Sequence, residues 1–305
     1  MQQSQPTLKA TCFGEILWDL FPGKDKTAGG APFNVGYHLQ QMGINVHMIS
    51  AVGQDDLGDA LLQKLNHWTI SAAGIQKNAN YATSTVVATI DEDNEAHYEI
   101  KESVAWDYIQ LRETDLQQVQ HSSTFVFGSL AARHSVSRNT LFALLEESRY
   151  RVFDVNLRPP FIDQELLIAL LKKSHLAKFN APELQLVLSY LGKNYNKPKD
   201  GVFFLQDYFD VPQVILSQGA SGATYYEGDT VYSLPAAKVT VQDTVGSGDS
   251  FLAGFLSAHL SGMHPEATLE QAICLSGFVT SQSGATPNYT QHDIEQMKTK
   301  YRAQV

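Results

Sequence analysis

The sequence predicts an α/β protein built on a mostly parallel sheet with helices on both faces. Short β-type runs alternate with helical patterns along most of the chain, and no repeat, low-complexity tract or Pro/Gly/Ser-rich linker interrupts them. One consecutive pair of β patterns breaks the alternation and marks a separate antiparallel piece. The 305 residues fit one large domain or two small ones.

Val46-His47-Met48-Ile49 reads as a strand, followed by an amphipathic helix over 55–68 with Leu57, Leu61, Leu62 and Leu65 on one face. Phe125-Val126-Phe127 precedes a helix over 136–147, and the strand 151–155 precedes another over 164–173. Val214-Ile215-Leu216 is the next compact apolar run. Strands buried on both faces read as continuous apolar runs, and ligands of such sheets bind beyond the strands' carboxyl ends. The exception is 85–90 and 96–102, joined by Asp91-Glu92-Asp93-Asn94. Tyr98 and Ile100 alternate there with His97, Glu99 and Lys101, the pattern of a hairpin with one wet face. A hairpin is marginal alone, so it packs as an edge decoration, a lid or a dimer surface.

The 22 basic and 32 acidic side chains leave a formal charge of −10, which disfavours a large nucleic-acid or membrane-surface footprint. With 43% hydrophobic and 18% charged residues, the composition is globular rather than disordered. No apolar run approaches the roughly 20 residues that span a bilayer. The first ten residues lack the features of a signal peptide, so a soluble, cytoplasmic protein is expected. Cys12 and Cys274 form no CxxC pair, which excludes a disulfide framework or a Cys-rich zinc site. The ten histidines contain no HExxH, and His259 and His264 are not spaced as a metal pair.

The most informative segment is Asp243-Thr244-Val245-Gly246-Ser247-Gly248-Asp249, because Phe251, Leu252, Phe255, Leu256 and Leu260 follow at helical spacing. Gly246 and Gly248 are therefore expected just before a helix N-terminus, where convergent N–H groups and the helix dipole attract an anion. Walker A needs Gly-Lys followed by Ser or Thr, and Asp249 stands there instead. The dinucleotide fingerprint needs a third glycine where Phe251 stands. An acid in an anion-binding loop fits a general base beside a phosphoryl group, or a plain helix N-cap. A second stretch, Gly29-Gly30-Ala31-Pro32-Phe33-Asn34, opens a helix lined by Val35, Leu39 and Met42 and closed near Gly43. Its glycines permit close approach of a small polar ligand, and Asn34 offers a donor and an acceptor.

Together the two segments resemble the ribokinase (PfkB) family of sugar kinases, with its early Gly-Gly-x-x-x-Asn and its late Asp-Thr-x-Gly-(Ala or Ser)-Gly-Asp. Three further segments agree: Val52-Gly53-Gln54-Asp55-Asp56-Leu57-Gly58, Asn180-Ala181-Pro182-Glu183, and Ser217-Gln218-Gly219-Ala220-Ser221-Gly222. Gly14-Glu15-Ile16-Leu17-Trp18-Asp19 looks like the family's opening strand with its sugar-binding acid. The resemblance covers roughly 10–285. It implies a single ribokinase-like, Rossmann-type domain over 1–305, with a small β-sheet lid from segments near 15–30 and 81–108. Pairing of lids in a homodimer is part of the same implication.

The implied reaction moves the γ-phosphoryl group of ATP to a primary sugar hydroxyl, with Mg²⁺ and, in many members, K⁺. Asp249 becomes the general base, and the amides of Gly246, Ser247 and Gly248 the anion hole. Asp19, Gly29, Gly30, Asn34, Tyr98 and Arg158 become sugar-binding residues. Asn180, Ser217, Gly219, Gly222 and Thr244, with Gly246 and Gly248, become nucleotide-binding. Asn180 and Glu183 are expected to act on Mg²⁺ through its waters, and Asp243, Val245 and Ala285 to offer backbone to K⁺.

Fructose is the favoured acceptor. Ala31-Pro32 replaces the Lys-Gly often found in ribokinases, and Tyr98-Glu99-Ile100 with Val104-Ala105-Trp106-Asp107 resembles the lid of bacterial fructokinases. Asp154-Val155-Asn156-Leu157-Arg158 occurs there and in 2-keto-3-deoxygluconate kinases, where an arginine can bind the substrate carboxylate. Arg158 also fits a structural pairing with an acid near a strand end. The alternatives are thus the acid sugar, then ribose. Outside this class stand a sugar-sensing pseudokinase, disfavoured by the intact Asp249, Gly246 and Gly248, and a nicotinamide dehydrogenase, whose fingerprint is missing.

Overall fold

A computed structural model describes residues 8–20, 25–90 and 96–305. The turn expected at 91–94 and the side chain of Tyr98 lie outside the described part. Among the described residues the strands are β1 (Lys9–Phe13), β2 (Leu17–Leu20), β3 (Thr27–Gly29), β4 (Asn45–Gly53), β5 (Ile75–Asn78), β6 (Ser84–Ile90) and β7 (Ala96–Ile100). They continue as β8 (Thr124–Gly128), β9 (Arg151–Asp154), β10 (Leu176–Asn180), β11 (Gln213–Ser217), β12 (Ala223–Glu227) and β13 (Thr230–Leu234). The helices are α1 (Ala31–Gln41), α2 (Asp56–His67), α3 (Glu113–Gln120), α4 (Ser135–Glu147) and α5 (Gln164–Leu171). After them come α6 (Ala181–Tyr190), α7 (Pro198–Phe209), α8 (Ser247–Leu260), α9 (Pro265–Thr280) and α10 (Gln291–Arg302).

Nine strands form one sheet in the order β13-β12-β11-β10-β9-β8-β1-β4-β5. Pairing is parallel from β11 to β5, and only β12 and β13 run antiparallel at one edge. The apolar runs of the sequence explain this: in β8, Val126 enters the core on one face while Phe125 and Phe127 enter the core on the other. In β9, Val152 and Phe153 divide in the same way. The expected mostly parallel, doubly covered sheet is therefore present.

A second sheet has the order β3-β2-β6-β7, with β6 and β7 the expected hairpin. One expectation is corrected here. The opening strand is Lys9–Phe13, and the segment 14–19 is not one strand. The chain turns at Gly14, so β2 and its Asp19 join the small sheet, pairing with β3 and β6. The carboxyl ends of β1, β8, β9, β10 and β11 point to one side, and the functional residues gather there. No helix among the described residues is long and apolar enough to cross a membrane.

Candidate active site

A single cavity of about 1340 Å³ runs past the carboxyl ends of these strands, between the two sheets. Its lining includes Glu15, Asp19, Gly30, Asn34, Arg158 and Asp249, whose charged members lie close enough to feel one another. Its lining also includes Asn180, Ser217, Gly219, Gly222 and Thr244, and the turn Gly246, Ser247 and Gly248.

α1 begins at Gly30, whose φ of 116° and close approach to the Glu15 carbonyl leave no room for a side chain. The helix start is fixed further by Glu15, whose Oε1 accepts the Ala31 N–H at 3.1 Å. Asn34, four residues on from Gly30, is buried rather than exposed. Its Nδ2 donates to Asp249 Oδ2 at 2.8 Å, joining residues 215 apart in sequence.

α8 starts at Ser247 with Gly246 as its N-cap, at φ 75° and ψ 0°, pressed against Ala285. Gly248 thus lies within the first turn and not before it, and Asp249 is not the cap. The simple N-cap reading of Asp249 is overturned: the residue is 9% exposed and its carboxyl is turned onto Asn34. The Ser247 amide already donates to Thr244 O at 3.2 Å. Among the described residues the Gly246 and Gly248 amides make no hydrogen bond within the protein, so these two remain for an anion.

Burial, then the charge of Asp154, pushes the Asp249 carboxyl up to about 6, against the pull of Asn34, Lys178 and Arg158. Asp19 is likewise pushed up to about 6 by burial, with Arg158 opposing. Burial takes Glu15 up to about 7, offset by backbone N–H groups and by Arg158. Arg158 itself is exposed at the cavity. Among the described residues Arg158 makes no ion pair, and Asp154, the last residue of β9, pairs with Lys178 Nζ at 2.8 Å.

Asn180 and Glu183 form a capping box at the start of α6, with Glu183 Oε2 accepting the Asn180 N–H at 2.8 Å. Glu183 Oε1 accepts the Leu157 N–H at 3.0 Å and so fixes the loop that carries Arg158. Asp243 lies off the cavity, its Oδ1 and Oδ2 accepting the N–H groups of Val245 and Gly284, both at 3.0 Å. The Ala285 carbonyl meets His38 Nε2 at 2.9 Å, so it is already engaged. Gly29 also stays off the cavity, paired opposite Leu17 in the small sheet.

Burial holds the His38 ring neutral, its pKa lowered to about 4. An unfolded histidine protonates near 6.5, so stability is complete above that value and is lost as pH falls from 6.5 toward 4. Denaturant titrations of His38→Gln should therefore show a ΔG–pH curve flatter by about 3 kcal/mol across that window. Equal slopes in both proteins would remove His38 from the account.

Sequence reasoning gave no role to Glu15 and Lys178 on the cavity wall, to Asp154 paired with Lys178, or to the apolar wall of Ala236, Ala237, Val239 and Ile273. A lone lysine inside the apolar run of β10 and an aspartate ending β9 were the available signals, since buried charges need partners.

A model of the pfkB family of carbohydrate kinases matches residues 20–292. A fructokinase of Salmonella typhimurium is 29% identical over 298 residues, covering 91% of this chain and 94% of that protein. A fructokinase of Rhizobium leguminosarum bv. trifolii is 29% identical over 266 residues, covering 81% of this chain and 78% of that protein. The fold is shared with the Vibrio cholerae O395 fructokinase bound to fructose, ADP and potassium, at TM-score 0.83 and 22% identity over 97% of this chain and 99% of that one. An aminoimidazole riboside kinase of Salmonella enterica matches at TM-score 0.80 and 22% identity, covering 95% of this chain and 99% of that one.

Proposed function

The chain belongs to the pfkB family of carbohydrate kinases, and we propose that it transfers the γ-phosphoryl group of ATP to the primary hydroxyl of fructose, giving fructose 6-phosphate. The observation that carries this reading is the buried Asp249 carboxylate, held by Asn34 and placed in the first turn of the helix whose glycine start lines the same cavity.

An alcohol is far too weak an acid for a carboxylate to ionise it in the ground state. Asp249 orients the hydroxyl and accepts its proton as the new O–P bond forms. The Gly246 and Gly248 amides stabilise charge on the transferring phosphoryl oxygens. Asp19, Gly30 and Asn34 hold sugar hydroxyls, while Ser217, Gly219, Gly222 and Thr244 border the nucleotide and the apolar wall takes its flat ring. Asn180 and Glu183 are oxygen donors on the cavity wall. Each Glu183 oxygen that accepts an N–H keeps a second lone pair, so the pair fits a hydrated Mg²⁺. Bound there, Mg²⁺ would supply positive charge to the phosphates. In this reading the small sheet is a lid over the sugar, and two lids pair in a homodimer. Light scattering should then give twice 33.7 kDa, and a mass of 33.7 kDa would remove the pairing.

Arg158 favours one second reading, a 2-keto-3-deoxygluconate kinase, because an exposed guanidinium at the sugar end can receive a carboxylate. Against it, Glu15, Asp19 and Asp249 line the same end, and all three carboxyls already feel the Arg158 charge. ADP release with Mg²⁺-ATP and K⁺ decides among fructose, 2-keto-3-deoxygluconate, ribose, adenosine and aminoimidazole riboside. Fructose-dependent release is expected. Preference for the keto acid would move Arg158 onto substrate, and silence across the panel would favour a sugar-sensing protein without the chemistry. Replacing K⁺ by Na⁺ in the same assay tests Asp243, Val245 and Ala285, since an unchanged rate would remove them from cation binding.

A further inference from the structure

We propose that the buried Lys178–Asp154 ion pair is a positioning device for Asp249, setting the pH at which that carboxylate is free to accept the substrate's proton. Lys178 sits in β10 and Asp154 at the end of the neighbouring β9, in register with one another, and their charged atoms meet at 2.8 Å. Both side chains are under a tenth exposed. The side chain lines the cavity beside the anion-binding turn, for a methyl group on Gly248 would meet Lys178 Nζ at 3.3 Å. Asp154 keeps its second oxygen, Oδ2, buried without a hydrogen-bond partner among the described residues. The pair is thus a fixed dipole at the backbone of the residue before Asp249, in a place where water screens little.

The two ends of that dipole act on Asp249 in opposite senses. Asp154 disfavours its ionised form and Lys178 favours it. The other groups facing Asp249 are Asn34 from α1, Arg158 from the loop after β9 and Glu15 from the turn after β1. The pair is also faced by Glu183 from the start of α6, which with Asp154 and Asp249 favours the charge of Lys178 against its burial. A pair of this kind balances two large opposing effects, so removing either partner should shift Asp249 and removing both should not.

The test uses the full chain and carbon NMR of its aspartate carboxyls, with the Asp249 signal assigned by its loss in Asp249→Asn. Lys178→Met is expected to raise the Asp249 midpoint by about one pH unit, Asp154→Asn to lower it by about as much, and the double variant to restore it. Midpoints equal to wild type in all three, or single-variant shifts of the same sign, would overturn the proposal. If Lys178→Met leaves Asp154 too costly to bury and fails to fold, Asp154→Asn and the double variant still decide. The acid limb of kcat/KM should move with each midpoint. The proposal rests on Asp249 being the base. A wild type that phosphorylates no sugar would sink that reading, whereas the NMR midpoints judge the pair without any activity.

Discussion

Replacing Asp249 with Asn is expected to lower kcat by roughly 10²–10⁴ and to leave the sugar KM close to its wild-type value. Asn keeps a side-chain oxygen that can accept the Asn34 Nδ2–H now given to Asp249 at 2.8 Å, so the sugar end holds its shape. What disappears is the proposed proton acceptor. Because the wild-type carboxyl titrates near 6, kcat/KM should fall as pH drops through that value. The variant's residual rate should lack this limb. The same carboxyl also bears on stability. Its pKa is raised from 3.8 to about 6, so between those values the folded chain binds more protons than the unfolded chain. The charged form is therefore a stability cost of up to about 3 kcal/mol, fully present above 6 and relieved as pH falls toward 3.8. Asp249→Asn should melt higher than wild type at pH 7.5, and the gap should narrow in acid. Near-normal kcat, or a variant that melts lower at neutral pH, would remove Asp249 from the role of buried base.

That trade explains why parts of the site were legible in the sequence and others were not. The glycines around Gly30 and Gly246 announce two helix starts because apolar residues follow each at helical spacing, and both helices are found, as α1 and α8. Spacing alone could not bring Asn34 to Asp249, since contact across 215 residues is a property of the sheet order. Only the family resemblance joined the two segments beforehand. Asp19 was expected on the opening strand but lies in the small sheet, because a four-residue strand carries too short a pattern to reveal which sheet it joins. Lys178 and Asp154 were readable in principle: each is a charge in an apolar strand, and neither can be buried without the other. The wall of Ala236, Ala237 and Val239 was not, as small apolar residues outside regular elements have no period to follow.

Gly246→Ala is expected to lower kcat about 10²–10³-fold with sugar binding retained, because it attacks the anion-binding backbone from its one unyielding side. At φ 75° an alanine costs roughly 1–2 kcal/mol in backbone strain alone. Its methyl group would also lie 2.6 Å from Ala285 Cβ and 2.7 Å from Ala285 Cα, so the turn must move, carrying the Gly246 and Gly248 amides away from the transferring phosphoryl group. Gly284→Ala separates the two causes. Gly284 has a similar φ of 78° but open space where its methyl would stand, so this variant should lose comparable stability while keeping its rate. Calorimetry with fructose should show unchanged affinity in both variants, since Asp19 and Asn34 belong to β2 and α1 and not to the turn. If Gly246→Ala keeps its kcat although its melting temperature falls, the collision with Ala285 is absorbed elsewhere and the 246–248 amides are not the anion site. A rate lost equally in Gly284→Ala would instead place the constraint in the Asp243–Gly284 bridge, whose N–H to Oδ2 bond at 3.0 Å couples the two loops.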